Sequence, residues 1–206
     1  MIEPDSSTDR NFLLPLAAWL ALSLLILGIP ALRLPLSANY PRPAESLALH
    51  VFLVSQFVLS ALLFPILLRN LRFALWIIVA TCPFVFLAAF LAFIPATRAA
   101  LCALDLTLWL LALRVFRSLL PSPRARLAGI AVASALVIGG PILWYLSAEF
   151  SGSIPSFRGS ACLGPIPGAL ALIQEPNISL TPWLFTLICW GVLVPAVMID
   201  RRFRAS

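Results

Sequence analysis

Six stretches of roughly twenty residues carry almost no charge, and nearly every gap between them is punctuated by proline or arginine. They run from Phe12 to about Leu32, Leu47 to Leu68, Phe73 to Ile94, Ala99 to about Leu120, Leu127 to Leu146, and from Thr181-Pro182 to Ile199. A helix needs about 20 apolar residues to cross the roughly 30 Å hydrocarbon core of a bilayer. Lipid offers the backbone no hydrogen bonds, so runs of this kind must be helical. The whole chain agrees: 62% of its 206 residues are hydrophobic, 11% are charged, and mean hydropathy is +1.04. A soluble domain carries about 25% charged residues and could not be surfaced with so few. The expected fold is therefore all-α, a polytopic membrane helix bundle forming a single transmembrane domain over residues 1–206.

The connectors say how the helices follow one another. Pro35, Pro41 and Pro43 make the first an extended surface loop. Only Arg69, Asn70, Leu71 and Arg72 separate the second and third spans, which must then form an antiparallel hairpin. Cys82-Pro83 sits near the centre of the third span, and Pro121-Ser-Pro123 precedes the fifth. Glu3, Asp5 and Asp9 stand before the first apolar run, the wrong charge for a cleaved leader, so that span is expected to be retained. With six spans, Arg10, Arg69, Arg72, Arg114, Arg117, Arg124, Arg126, Arg201, Arg202 and Arg204 fall on one side, against Arg33, Arg42, Arg98 and Arg158 on the other. The positive-inside rule then places both termini in the cytoplasm of a bacterial inner membrane and the long 148–180 segment outside it. Within that segment Ala161–Ile173 is too short to span yet too apolar for bulk water. Pro165, Pro167, Gly164 and Gly168 break its first half, so only Gly168–Gln174 is expected to be helical, as a re-entrant or interfacial piece capping the bundle.

One acid interrupts the apolar runs. Asp105 lies nine residues before Arg114, about 13 Å along the helix from that interfacial anchor and so near mid-bilayer. Arg98, Cys102, Asp105 and Trp109 recur at helical spacing and share one face. Such an acid serves a proton or ion, bonds a polar group on a neighbouring helix, or is held neutral by its apolar surroundings. Gln56 and Ser60, four apart, suit interhelical hydrogen bonds. The fifth span carries small residues in two rows, Gly129 with Ala133 and Ala131 with Ala135 and Gly139, which allow close backbone approach.

His50, the one histidine, sits about a turn into the second span, on the outer side in this topology, where a hydrogen bond to the loop is its plainest role. It shares that side with Arg158 and Cys162. These residue types, with the Ala161-Cys162 dipeptide, resemble the outer-face site of membrane cysteine transpeptidases of the exosortase kind. Here Leu163 follows the cysteine, and no histidine lies downstream of it. Six spans with an irregular outer segment before the last also resemble the layout of type-2 ABC permeases. The chain departs from that layout in lacking an amphipathic helix before the first span, and its Arg69–Arg72 connector is too short for a coupling helix.

The four cysteines form no CxxC pair, and neither a glycine-rich phosphate loop nor a histidine cluster is present, so no cofactor or metal is expected. The net charge of +6 comes wholly from arginines spread over the connectors, which suits lipid headgroups and not nucleic acid. The expected role is a non-enzymatic integral subunit of a larger membrane assembly, partnered by the bilayer and by other membrane subunits. The rival expectations are a transporter or permease half and a cysteine transpeptidase-like enzyme.

Overall fold

The computed structural model describes residues 6–33, 47–68, 70–151, 164–174 and 181–205. Those residues form seven α-helices and no strand: α1 (Ser6–Arg33), α2 (Leu47–Leu67), α3 (Leu71–Leu91), α4 (Ala96–Ser118), α5 (Pro123–Ser151), α6 (Pro165–Gln174) and α7 (Leu184–Ala205). Four of them, α2 to α5, are long and apolar enough to cross a membrane. The apolar parts of α1 and α7 are shorter, Leu14–Gly28 and Leu184–Asp200.

Helix ends follow local chemistry. Ser122 caps α5, its Oγ accepting from the Ala125 N–H at 3.1 Å, and Pro123 takes the first helical position, where a missing N–H is harmless. The helix thus begins a turn before the apolar run. Arg126 reaches back to donate to the carbonyls of Leu120 and Pro121, just past the end of α4. The α3 end closes with Phe93 N–H on the Phe90 carbonyl at 3.1 Å and Ile94 N–H on the Ala89 carbonyl at 2.9 Å. That closure puts Phe93 at φ 53°, a left-handed conformation usually given to glycine. At the other end of the chain, α1 starts at Ser6, so Pro15 lies inside the helix instead of in its first turn.

The bundle is organised around α2 and α4. Helix α2 touches α1, α3, α4, α5 and α6, while α4 touches α2, α3, α5, α6 and α7. The two run parallel: Phe57 meets Trp109, Phe64 meets Phe116, and Arg117 Nε donates to the Pro65 carbonyl at 2.8 Å. Each step forward on α2 is matched by a step forward on α4. Of the two small-residue rows on α5, only the Gly129–Ala133 row is used internally. Ala133 is buried, and a Cβ on Gly129 would press on Leu120 and Phe64. Ala131 and Ala135 are exposed, and Gly139 has open space beside it.

Helix α6 corrects the expectation that only Gly168–Gln174 would be helical. It begins at Pro165, and the first helical bond, Gly168 N–H to the Gly164 carbonyl at 3.3 Å, closes across both prolines. First-turn residues have no intrahelical use for their N–H groups, so Pro165 and Pro167 start the helix rather than break it. Pro165 to Ala169 and Ala171 to Ile173 are buried, against α2, α4, α5 and the segment leading into α7.

Candidate functional site

Polar side chains inside the bundle bond helix to helix. At one end of the set, Trp19 Nε1 on α1 donates to Thr81 Oγ1 on α3 at 3.0 Å, and the Thr81 hydroxyl donates to its own Ile77 carbonyl at 2.7 Å. One turn along α1 from Trp19, Ser23 Oγ accepts from Gln56 Nε2 on α2 at 3.1 Å. One turn along α2 from Gln56, Ser60 Oγ accepts from Trp109 Nε1 on α4 at 3.0 Å, while the serine hydroxyl donates to the Phe57 carbonyl at 2.8 Å. One turn back along α4 from Trp109, Asp105 Oδ1 accepts from Thr186 Oγ1 on α7 at 3.0 Å. Single bonds thus tie α1 to α3, α1 to α2, α2 to α4 and α4 to α7. The Trp109 ring also packs between Phe57 and Phe185, with centroids 6.3 Å away in each case.

Asp105 is 1% exposed and Gln56 0%. Each is half satisfied: Asp105 Oδ2 and Gln56 Oε1 are buried oxygens with no hydrogen-bond partner among the described residues. Cys102, also buried and a free thiol, lies a turn toward the α4 N-terminus from Asp105. Arg98, a further turn away, is half-buried and donates through Nη1 to the Ile173 carbonyl. That carbonyl belongs to the last turn of α6, where a cation also meets the negative end of the helix dipole.

The sequence grouped Arg98, Cys102, Asp105 and Gln56 as an intramembrane set, and His50, Arg158 and Cys162 as an outer one. The structure brings His50 and Arg98 together instead. Gln174 Nε2 lies 3.2 Å from His50 Nε2, next to the Ile173 carbonyl that Arg98 holds. Both side chains grip the same end of α6, and His50 meets the segment after α5. Arg158 and Cys162 lie outside the described residues. Among the described residues no group of three or more His, Cys, Asp or Glu side chains is placed to hold a metal ion.

Ser23, Thr81 and Thr186 escape notice in the sequence, where each is one small hydroxyl residue inside an apolar run. Asking which polar residues interrupt such runs would have found them. Two apolar cavities flank the set. One of about 330 Å³ lies between α4, α5 and α7, with Ala112, Phe116, Ala133, Leu136, Phe185 and Cys189 in its wall. The other, of about 290 Å³, lies between α2, α5 and α6 against Val54, Pro141, Trp144, Ile166, Pro167 and Leu170.

Comparison of the chain with family models, with curated proteins and with solved structures finds no match.

Proposed function

We propose that the chain is a six-span protein of the bacterial inner membrane, with both termini in the cytoplasm, acting as a non-enzymatic subunit of a larger membrane assembly. Six spans fit the helix lengths: 28 residues of α1 and 22 of α7 make rods of about 42 and 33 Å, against a core of about 30 Å. In this reading α6 is the re-entrant piece that caps the bundle from outside.

The observation that carries the subunit role is the cleft between α5 and α7. Both helices pack inward by one side, yet between them lies a cavity walled by Ala112, Ala133, Leu136, Phe185 and Ile188. A groove of small and branched apolar residues suits the close approach of another membrane helix. Each buried polar side chain described inside the bundle bonds a neighbouring helix, and of these only Asp105 and Gln56 keep an oxygen unpaired, which favours a packing role. Affinity purification in mild detergent, followed by mass spectrometry of the co-purifying chains, tests the proposal. A partner membrane protein should accompany the wild type and be lost when Val132→Trp, at an exposed position in the groove wall, fills the groove. A chain that purifies alone and is indifferent to that substitution refutes it.

A permease-like role draws on a separate observation, the buried acid. It requires Asp105→Asn to stop substrate movement as completely as Asp105→Leu does.

A further inference from the structure

Two oxygens at the centre of the bundle lack donors, and the helix register brings their side chains to the same level. Trp109 on α4 donates to Ser60 on α2, and the two helices run parallel. Counting back one turn from each partner gives Asp105 and Gln56. The same alignment holds further up, where His50 and Arg98 meet consecutive residues of α6, Gln174 and Ile173. Offsets between matched residues run from 48 for His50 and Arg98 to 52 for Phe57 and Trp109, and Gln56 to Asp105, at 49, falls within them.

Each side chain has one arm already committed. Gln56 gives its amide N–H to Ser23, and Asp105 takes the Thr186 hydroxyl on Oδ1. What remains is Gln56 Oε1 and Asp105 Oδ2, two acceptors at one level on facing helices, both sealed from water. Two acceptors brought together repel unless a donor stands between them, and a buried polar atom left unpaired is costly. An ionised carboxylate held by one hydroxyl at mid-bilayer depth would be costlier still.

We propose that Asp105 and Gln56 form a proton-binding site at the junction of α2, α4 and α7, the Asp105 Oδ2–H donating to Gln56 Oε1. A proton satisfies both oxygens and takes up no volume, which suits side chains packed without exposure. The site extends the chain of single bonds: Ser23, Gln56, Asp105 and Thr186 become one continuous path across α1, α2, α4 and α7.

The charged and titratable groups around it are few. On α4 itself, Cys102 is a turn away and Arg98 two turns away, while Arg114 and Arg117 lie toward the far end. Among the described residues of the packed helices, α2 offers His50 near its start, α3 offers Arg72 and Cys82, α5 offers Arg124 and Arg126 at its start and Tyr145 and Glu149 toward its end, α6 offers none, and α7 offers Cys189 a turn beyond Thr186, with Asp200 and the arginines after it at its far end. None of them is a carboxylate at the level of Asp105, and Arg98 is turned to the Ile173 carbonyl.

Infrared spectroscopy of the full chain in lipid vesicles reads the site directly. Its other aspartates, Asp5, Asp9 and Asp200, lie toward the chain ends, so carboxyl-carbon isotope labelling of aspartate needs no substitution to isolate a buried acid. We expect an isotope-sensitive carboxylic-acid carbonyl band at neutral and mildly alkaline pH, absent from Asp105→Asn. In Gln56→Leu the band should shift, because the acceptor is gone, with helicity by circular dichroism confirming that the variant folds. If labelled aspartate shows carboxylate bands alone, the proposal is overturned; that result would follow if Gln56 turned its amide nitrogen toward an ionised Asp105. An acid band that Gln56→Leu leaves in place overturns the pairing equally. Should Gln56→Leu not fold, the labelled wild-type spectrum decides the protonation, and Gln56→Met, which keeps the length of the side chain and removes its amide, should shift the band in the same way.

Discussion

Gly164 sits where α6 enters against α5, and a single methyl group there tests how that contact is made. A Cβ at Gly164 would lie 2.9 Å from the Leu136 carbonyl oxygen and 3.4 Å from Gly140 Cα. Both atoms are α5 backbone, so neither can rotate aside. Comfortable carbon contacts lie near 3.5 Å, so the entry to α6 must retreat by about half an ångström. Pro165, Ile166 and Pro167 follow directly and are buried, so the retreat loosens the whole first turn of α6. Overpacking of this kind costs about 1–3 kcal/mol. Against it stands the entropy that alanine removes from the unfolded chain, about 0.4–1 kcal/mol. Gly164→Ala should therefore destabilise the protein by about 1–2 kcal/mol.

Two other glycines calibrate the measurement. At Gly129 the nearest atom, Leu120 Cδ1, is closer still, but it is the tip of a flexible side chain that can change rotamer. The gain of about 0.5–1 kcal/mol from removing a mid-helix glycine should roughly cancel that clash. Gly139 has nothing within 4 Å, so its alanine variant should be more stable by about the same gain. Denaturant titration of helicity in mild detergent ranks the three. Stability should fall in the order Gly139→Ala, wild type with Gly129→Ala, then Gly164→Ala. If Gly164→Ala matched wild type, the close backbone contact between α5 and α6 would be refuted; Gly129→Ala below wild type would show instead that Leu120 does not yield.

Asp105→Asn should keep within about 1 kcal/mol of wild-type stability, because the amide can accept from Thr186 and donate to Gln56, while Asp105→Leu orphans both and should cost about 1–3 kcal/mol. Equal midpoints for the two variants in the same titration would dismiss the site. Trp109→Phe removes one donor to Ser60 but keeps the ring contacts, so it should cost about 0.5–1.5 kcal/mol, against about 3–5 for Trp109→Ala. Phe93, 79% exposed at a φ of 53°, should yield about 1 kcal/mol of added stability on substitution by glycine, read as a raised unfolding midpoint. Ile166→Cys, at a position 4% exposed, should resist a thiol reagent in a cysteine-free background where Phe150→Cys reacts. Adding Arg98→Met should speed labelling at residue 166, since the cation no longer holds the Ile173 carbonyl.

The helices were legible because lipid leaves a long apolar run only one backbone conformation. The shared face of Arg98, Cys102, Asp105 and Trp109 was legible for a related reason, the fixed angular step of a helix. What the spacing within a helix does not encode is which helix stands opposite. Thr186 lies 81 residues from Asp105, and nothing along α4 singles it out. The parallel pairing of α2 with α4 is hidden likewise, since short connectors reveal antiparallel neighbours, and a parallel pair is set by packing alone. Prolines 165 and 167 misled through position: the same residues that stop a helix in its interior start one in its first turn. His50 and Arg98 looked like members of separate sites until α6 supplied the carbonyl and amide that bring them together.

Helices in lipid gain little from hiding apolar surface, because the solvent they leave is as apolar as the partner they meet. Association must then come from polar bonds or from close backbone contact, and this bundle divides the two by helix. α1, α2, α3, α4 and α7 are joined by one hydroxyl, amide or indole bond at each of several junctions, each contributing on the order of 0.6–2 kcal/mol. α5 receives the Phe64 ring of α2 over Gly129, and meets the entry of α6 through Leu136 and Gly140, there with backbone against backbone. The consequence falls on α7. Its grip on α4 is concentrated near its start, in Thr186 on Asp105 and Phe185 on Trp109, while Leu187, Ile188, Val192, Val194, Met198 and Ile199 are exposed. A helix fastened near one end and open along most of its length is the element a partner could displace at least cost. Movement of α7 would widen or close the α5–α7 cleft, and the contact that resists it is the one Asp105 makes.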